Sequence, residues 1–149
     1  MALSIRAFAP GDEQAFRELN EAWITRYFEM EAPDVAILND PKGLILDPVG
    51  HVLIAELDGA SVGTCALVAM PKDTFEVVKM AVAESQRGKG IGRELMAAVV
   101  ETARRVGAKR LHLETNSVLE PAIRLYESFG FVRVAANSEF RRADVAMEL

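Results

Sequence analysis

Three glycines at alternate positions, Gly88, Gly90 and Gly92, stand among Arg87, Lys89 and Arg93 in the stretch QRGKGIGR, directly ahead of an apolar pattern of helical period. Glycine lets backbone approach a ligand closely and take positive φ. The first turn of a helix adds N–H groups with no partner inside the helix, at the positive end of its dipole. Strand, glycine-rich turn and helix start in that order make a site for phosphate or pyrophosphate. Two nucleotide motifs can be tested against it. A Walker A loop ends in Gly-Lys-Ser or Gly-Lys-Thr, and neither occurs in the chain. The dinucleotide pattern G-x-G-x-x-G needs glycine at position 93, where the chain has Arg93, although Glu114 could mimic its ribose-binding acid.

Four other residue types could do chemistry. Strand alternation over TFEVVKMAV places Glu76, Val78, Met80 and Val82 on one face, so one carboxylate shares an otherwise apolar surface. Desolvation there would raise its pKa and suit a general base; a salt bridge to Lys79 or a solvent-facing carboxylate is the competing reading. Tyr126 carries a phenol that stays protonated at neutral pH. Cys65 lies on an apolar strand with no base beside it in sequence and reads as a small buried hydrophobe. His51 and His112 form no metal-binding spacing, and with a single cysteine no metal is expected.

The totals narrow the partners. The 149 residues suit one domain, residues 1–149, with enough buried surface for a core and a cleft. Lys and Arg number 17 against 22 Asp and Glu, for a net charge of −5, so no global basic field gathers nucleic acid and the anion site must be local. One cysteine excludes an internal disulfide and suits a reducing compartment. Neither a signal peptide nor a membrane-length apolar run is read, so the expectation is a cytoplasmic protein with no membrane partner.

The elements that must position these residues follow from periodicity. A strand over Ser4 to Phe8 precedes a helix opened by PGDEQ, whose apolar face reads as Phe16, Leu19, Trp23 and Tyr27. From Glu29 to Gly50, prolines and glycines interrupt short apolar groups, which reads as loops with one or two helical turns. His51 to Leu57, the DGAS turn and Val62 to Met70 make a hairpin, and Thr74 to Val82 adds a third strand. A helix from Gly90 to Gly107, a strand over Arg110 to Glu114, a helix with Pro121 in its first turn, and the strands FVRVA and ADVAMEL complete a mixed α/β domain with one central sheet.

With these elements in place, Gln86-Arg87-x-x-Gly90-x-Gly92 resembles the pyrophosphate loop of the GNAT superfamily, the acetyl-CoA-dependent N-acetyltransferases. The meander before it, LETN after its helix and AIRLYESFGF (Ala122 to Phe131) extend the resemblance along the chain. It implies a single N-acetyltransferase domain of order β-α-(α)-β-β-β-α-β-α-β-β, its sheet splayed at the acyl-CoA site. It implies acetyl-CoA as cosubstrate, held by Met80, Ala81, Val82, Arg87, Gly88, Lys89, Gly90, Ile91, Gly92, Arg93, Asn116 and Tyr126, with Glu76 as base and Tyr126 as acid. Direct attack by a primary amine of a small molecule or amino acid is the implied reaction. A non-catalytic acyl-CoA sensor, a protein or peptide acceptor and a dinucleotide oxidoreductase are the competing readings. The acceptor would be framed by Trp23 to Leu46 and Ser138 to Asp144, where Glu29, Glu31, Asp34 and Asp40 could attract a cation and Arg26, Arg141 and Arg142 a carboxylate. Domains of this superfamily often form homodimers, a state that nothing in this sequence specifies.

Overall fold

A computed structural model describes residues 3–149. In chain order it contains β1 (Leu3–Ala7), α1 (Glu13–Tyr27), α2 (Ala32–Asn39), β2 (His51–Leu57), β3 (Ala60–Met70), β4 (Thr74–Val82), α3 (Ile91–Arg105), β5 (Arg110–Thr115), α4 (Glu120–Ser128), β6 (Val132–Val134) and β7 (Val145–Glu148). Short helical turns at Lys42–Leu46 and Glu84–Gln86 join them. The segment before β2 is therefore more helical than its prolines suggest, because Pro33 falls in the first turn of α2, where a missing N–H costs nothing.

The seven strands run in the order β1-β2-β3-β4-β5-β7-β6. Asp58 and Gly59 both take positive φ, 52° and 85°, and close the tight β2–β3 hairpin. β4 and β5 are parallel, and the other neighbouring pairs are antiparallel. Each face of the sheet carries its own core. Ile91, Leu95, Met96 and Val99 of α3 and Ile123 of α4 pack with Leu53, Val77, Leu111, Leu113 and Met147 on one side. Phe16 of α1 and Leu38 of α2 pack with Ile45, Val52, Ile54 and Ala66 on the other. The buried stripe of α1 is Phe16, Asn20 and Ile24, not the expected Phe16, Leu19, Trp23 and Tyr27, and Tyr27 remains 41% exposed. The aromatic pair belongs to a cleft instead.

That cleft comes from two irregularities in β4. Pairing with β5 runs from Thr74↔Arg110 to Val77↔Leu113 and stops, while β4 continues to Val82 against β3 alone. β5 meanwhile turns its other edge to β7. The second irregularity is a bulge: Thr64 faces Ala81 and Ala66 faces Val78, so Lys79 and Met80 share the place opposite Cys65. Lys79 has φ +55°. One inserted residue reverses the alternation that follows it. Val78 packs with the α1/α2 core, whereas Met80 and Val82 pack with the α3 core beside Val77. The expected single face of Glu76, Val78, Met80 and Val82 is corrected accordingly: Glu76 and Val78 lie on one side, Met80 and Val82 on the other.

Candidate active site

Gly88 and Gly90 take φ +76° and +82°, a region costly for residues with a Cβ, and Gly90 caps α3. Gly92 lies inside the first turn of α3 and is not strained, and a Cβ there would meet nothing nearer than Leu125 Cδ2 at 3.9 Å. The Arg87 amide already donates to the Glu84 carbonyl at 3.3 Å, which leaves the first turn of α3 as the source of unpaired N–H groups. The basic side chains line up around this turn. Arg87 donates to the Tyr27 hydroxyl at 2.6 Å and lies 4.6 Å from the Trp23 ring, Lys89 reaches Gln86 Oε1 at 2.9 Å, and Arg93 stacks 5.5 Å from Phe129.

Two cavities meet behind the loop. The outer one, about 520 Å³, is walled by Met80, Ala81, Val82, Gln86 to Gly88, Gly90 to Gly92, Leu125 and the two α1 aromatics Trp23 and Tyr27. The inner one, about 130 Å³, lies in the gap between β4 and β5 and is bordered by Glu76, Glu114, Asn116, Phe28, Phe140 and Arg142. Trp23, Met80, Leu119 and Tyr126 border both. No hydrogen-bond partner for the Tyr126 hydroxyl is found among the described residues. Burial, with a smaller push from nearby Cys65, raises its pKa, so the phenol stays protonated.

Glu76 and Tyr126 thus border one cavity, as the sequence suggested. Glu76 is half-buried, and its pKa is raised first by desolvation and then by the charge of Glu114. Its partner is not Lys79, whose ammonium binds Asp34 instead. The parallel register sets Glu76 opposite His112, and Glu114 is two residues along the same face. Ligand atoms of the three come within 4.8 Å of one another, and His112 Nδ1 lies 2.9 Å from Glu148 Oε2. Spacing along the chain could not reveal this group, because only strand register assembles it. Two histidines with no motif between them had suggested no metal; these three residues are a donor set such an ion could use.

Asn116 borders the inner cavity, and its amide is engaged on both sides, donating to the Arg142 carbonyl at 2.5 Å and accepting from the Val118 N–H at 2.9 Å. Asp34 and Arg142, expected to meet substrate charges, meet each other through two contacts of 2.7 Å. Arg26 pairs with Glu84. Cys65 is fully buried with its thiol pushed up to about 12 by desolvation, which suits a packing role and not a nucleophile.

A model of the acetyltransferase (GNAT) family matches residues 13–131. The chain belongs to this family. It is 37% identical over 89 residues to the uncharacterized N-acetyltransferase YjgM of Escherichia coli, covering 57% of this chain and 53% of that protein. With the mycothiol acetyltransferase of Sanguibacter keddieii it shares 30% identity over 153 residues, covering 94% of this chain and 47% of the relative. The chain spans about half the length of these curated relatives. Among solved structures, a GNAT protein from Desulfovibrio desulfuricans matches with a TM-score of 0.81 and 27% identity over 99% of this chain and 98% of that one. YncA of Salmonella typhimurium, solved with acetyl-CoA, matches in fold with a TM-score of 0.77 at 23% identity, over 100% and 94% of the two chains.

Within this GNAT domain, one further residue escaped the periodicity reading. Asn20 is 1% exposed on the buried stripe of α1 and borders the inner cavity. Its Nδ2 donates to the Phe16 carbonyl at 2.9 Å, while Oδ1 is the buried side-chain polar atom left without a partner among the described residues. Such an orphan costs about 1–3 kcal/mol. The signal available in sequence was an amide at the i+4 position between Phe16 and Ile24.

Proposed function

We propose that the chain transfers an acetyl group from acetyl-CoA to a primary amine of a small molecule or amino acid, by direct attack in a ternary complex. The observation that carries this reading is the meeting of the two cavities at Met80 and Tyr126, one on the side of the glycine turn and one on the side of Glu76. The residues fit the coenzyme. The α3 N-terminus with Gly88 and Gly90 suits a pyrophosphate, the unpaired β4 edge over Met80, Ala81 and Val82 suits an extended amide-bearing arm, and Arg87, Lys89 and Arg93 supply positive charge. When bound, acetyl-CoA supplies an acetyl group activated as a thioester.

The chain's own groups do the rest. A backbone N–H of the β4 edge polarises the acyl carbonyl by hydrogen bonding. A primary amine is almost wholly protonated at neutral pH, so Glu76, with its raised pKa, removes a proton directly or through water. Tyr126 Oη, which keeps its proton and borders both cavities, would donate a hydrogen bond to the sulfur as the thiolate leaves. Asn116 frames the same passage with its amide fixed.

The acceptor reading draws on charge and size. The inner cavity, at about 130 Å³, is much smaller than the outer one at about 520 Å³, which suits an amine on a narrow chain. Glu76, Glu114, Glu139 and Glu148 surround the adjoining opening with His112 and Arg110, favouring a cationic substrate over an anionic one. The test is release of CoA thiol by the native protein across amino acids, polyamines and peptides. Turnover lost in Tyr126→Phe and Glu76→Gln with coenzyme binding retained supports the reading. Turnover unchanged in both variants would remove the residue roles, and coenzyme binding with no turnover on any amine would leave a sensor.

A further inference from the structure

We infer that Asp34 is a positioning residue for the acyl site: through Lys79 it fixes the β4 bulge, and through Arg142 it fixes the segment ahead of β7, so that the β4 edge keeps its amides aimed at the acyl carbonyl. The inference rests on the acetyl-transfer reading above, in which that edge polarises the thioester.

Asp34 is fully buried in α2, and four donors converge on its carboxylate. The Glu31 amide donates to Oδ2 at 2.9 Å, Arg142 donates to both oxygens at 2.7 Å, and Lys79 Nζ donates to Oδ1 at 2.5 Å. Three elements distant in sequence therefore meet on one anion. The Phe140 ring is close to both cations, its centroid 4.8 Å from Lys79 Nζ and 4.5 Å from the Arg142 guanidinium. Glu31 adds a contact to Arg142 at 3.3 Å and accepts from the Arg141 amide at 3.0 Å.

Lys79 is the unexpected member. A left-handed backbone is uncommon for a lysine, and a side chain only 6% exposed with a charged end is costly unless it is paired. Both costs fall on the residue whose conformation sets the direction of Met80, Ala81 and Val82. A hydrophobic strand residue would relax this site to regular pairing with β3. The Asp34–Lys79 pair instead holds the extra residue in place, because leaving either charge buried alone costs more than keeping the bulge. The same cluster removes Lys79, Arg142 and Asp34 from the groups available to an acceptor, so their pairing serves geometry and not recognition.

The test uses acetyl-CoA labelled with carbon-13 at the thioester carbonyl, titrated into the full chain. In the native protein, hydrogen bonding to the carbonyl shifts its resonance downfield of the free ligand. Asp34→Asn is expected to lose most of that shift in the saturated complex, with coenzyme still bound through the α3 turn. Lys79→Met and Lys79→Arg separate charge from bulk, since methionine deletes the ammonium and arginine keeps a cation for Asp34. Lys79→Met should lose most of the shift and Lys79→Arg should keep more of it, a comparison that stands even where Asp34→Asn fails to fold. A native shift in Asp34→Asn, or a native shift in Lys79→Met, overturns the inference. Native protein that binds acetyl-CoA with no shift overturns it together with the assignment of the β4 edge. A native shift with no amine turnover overturns only the transfer reading.

Discussion

Tyr126 and Glu76 border one cavity from opposite sides of the gap in the sheet, and their environments push both pKa values upward. For the phenol, that direction extends the protonated range, so Tyr126 remains a donor throughout the working pH range. Tyr126→Phe should lower kcat by about 10²-fold, near the lower end for a lost acid–base group, with the acetyl-CoA Kd unchanged. For the carboxyl, a raised value means that the base form appears only as pH climbs past the ordinary glutamate range. The acid limb of kcat/KM should therefore lie above that range and disappear in Glu76→Gln, which a pH-rate profile measures. Both residues stood out in sequence, Tyr126 from the LYESFGF motif and Glu76 from its place on an apolar strand, and the structure brings them to one cavity. Their companions were not. His112 reaches Glu76 only through the parallel β4–β5 register, and Asp34 finds Lys79 only because a bulge brings that ammonium inward, so neither leaves a mark in local spacing.

At the level of elements, β4 with the turn after it borders both cavities. Its two ends behave differently, one paired on both edges and one paired only with β3. The three glycines beyond it also divide. Gly90→Ala puts a Cβ on a residue with φ +82° and should cost about 1–2 kcal/mol of unfolding free energy. Gly92→Ala, within the helix, should raise stability by somewhat under about 1 kcal/mol. Denaturant unfolding compares the two, and calorimetric titration should show weaker coenzyme binding for Gly90→Ala. Strand and helix identities were readable from period and turn residues, with the DGAS hairpin and the Gly90–Gly107 bracket found as expected. The face assignment after residue 79 was not, because alternation assumes an unbroken count and one extra residue reverses it. The helical run ahead of β2 was also obscured, since its prolines occupy places a helix start accepts.

Across the whole molecule, Asp34 joins α2, the centre of the sheet and the segment before β7. Burial alone would raise its pKa, but the bonds from Arg142, Lys79 and the Glu31 amide outweigh burial and hold it at about 2, below its ordinary 3.8. A carboxyl depressed in the folded state contributes stability above its unfolded value and loses it as pH falls through the folded one. Between about pH 4 and pH 2 the native protein should lose on the order of 2 kcal/mol through this group. Denaturant titrations of native protein and Asp34→Asn across that interval should converge as the pH drops. The split in the sheet also dictates an order of assembly. β2, β3 and β4 pair through tight turns, whereas β1 must find β2 across α1 and α2 and β5 must return across all of α3 to find β4, and closing a long loop before any contact rewards it is slow. The meander should acquire hydrogen-exchange protection first on refolding, and the gap between β4 and β5, the proposed acyl site, should form last. Coenzyme then has nothing to bind until folding is nearly finished, so it cannot speed the early steps; it slows only the reverse passage, and its effect on a refolding experiment should appear in the unfolding rate.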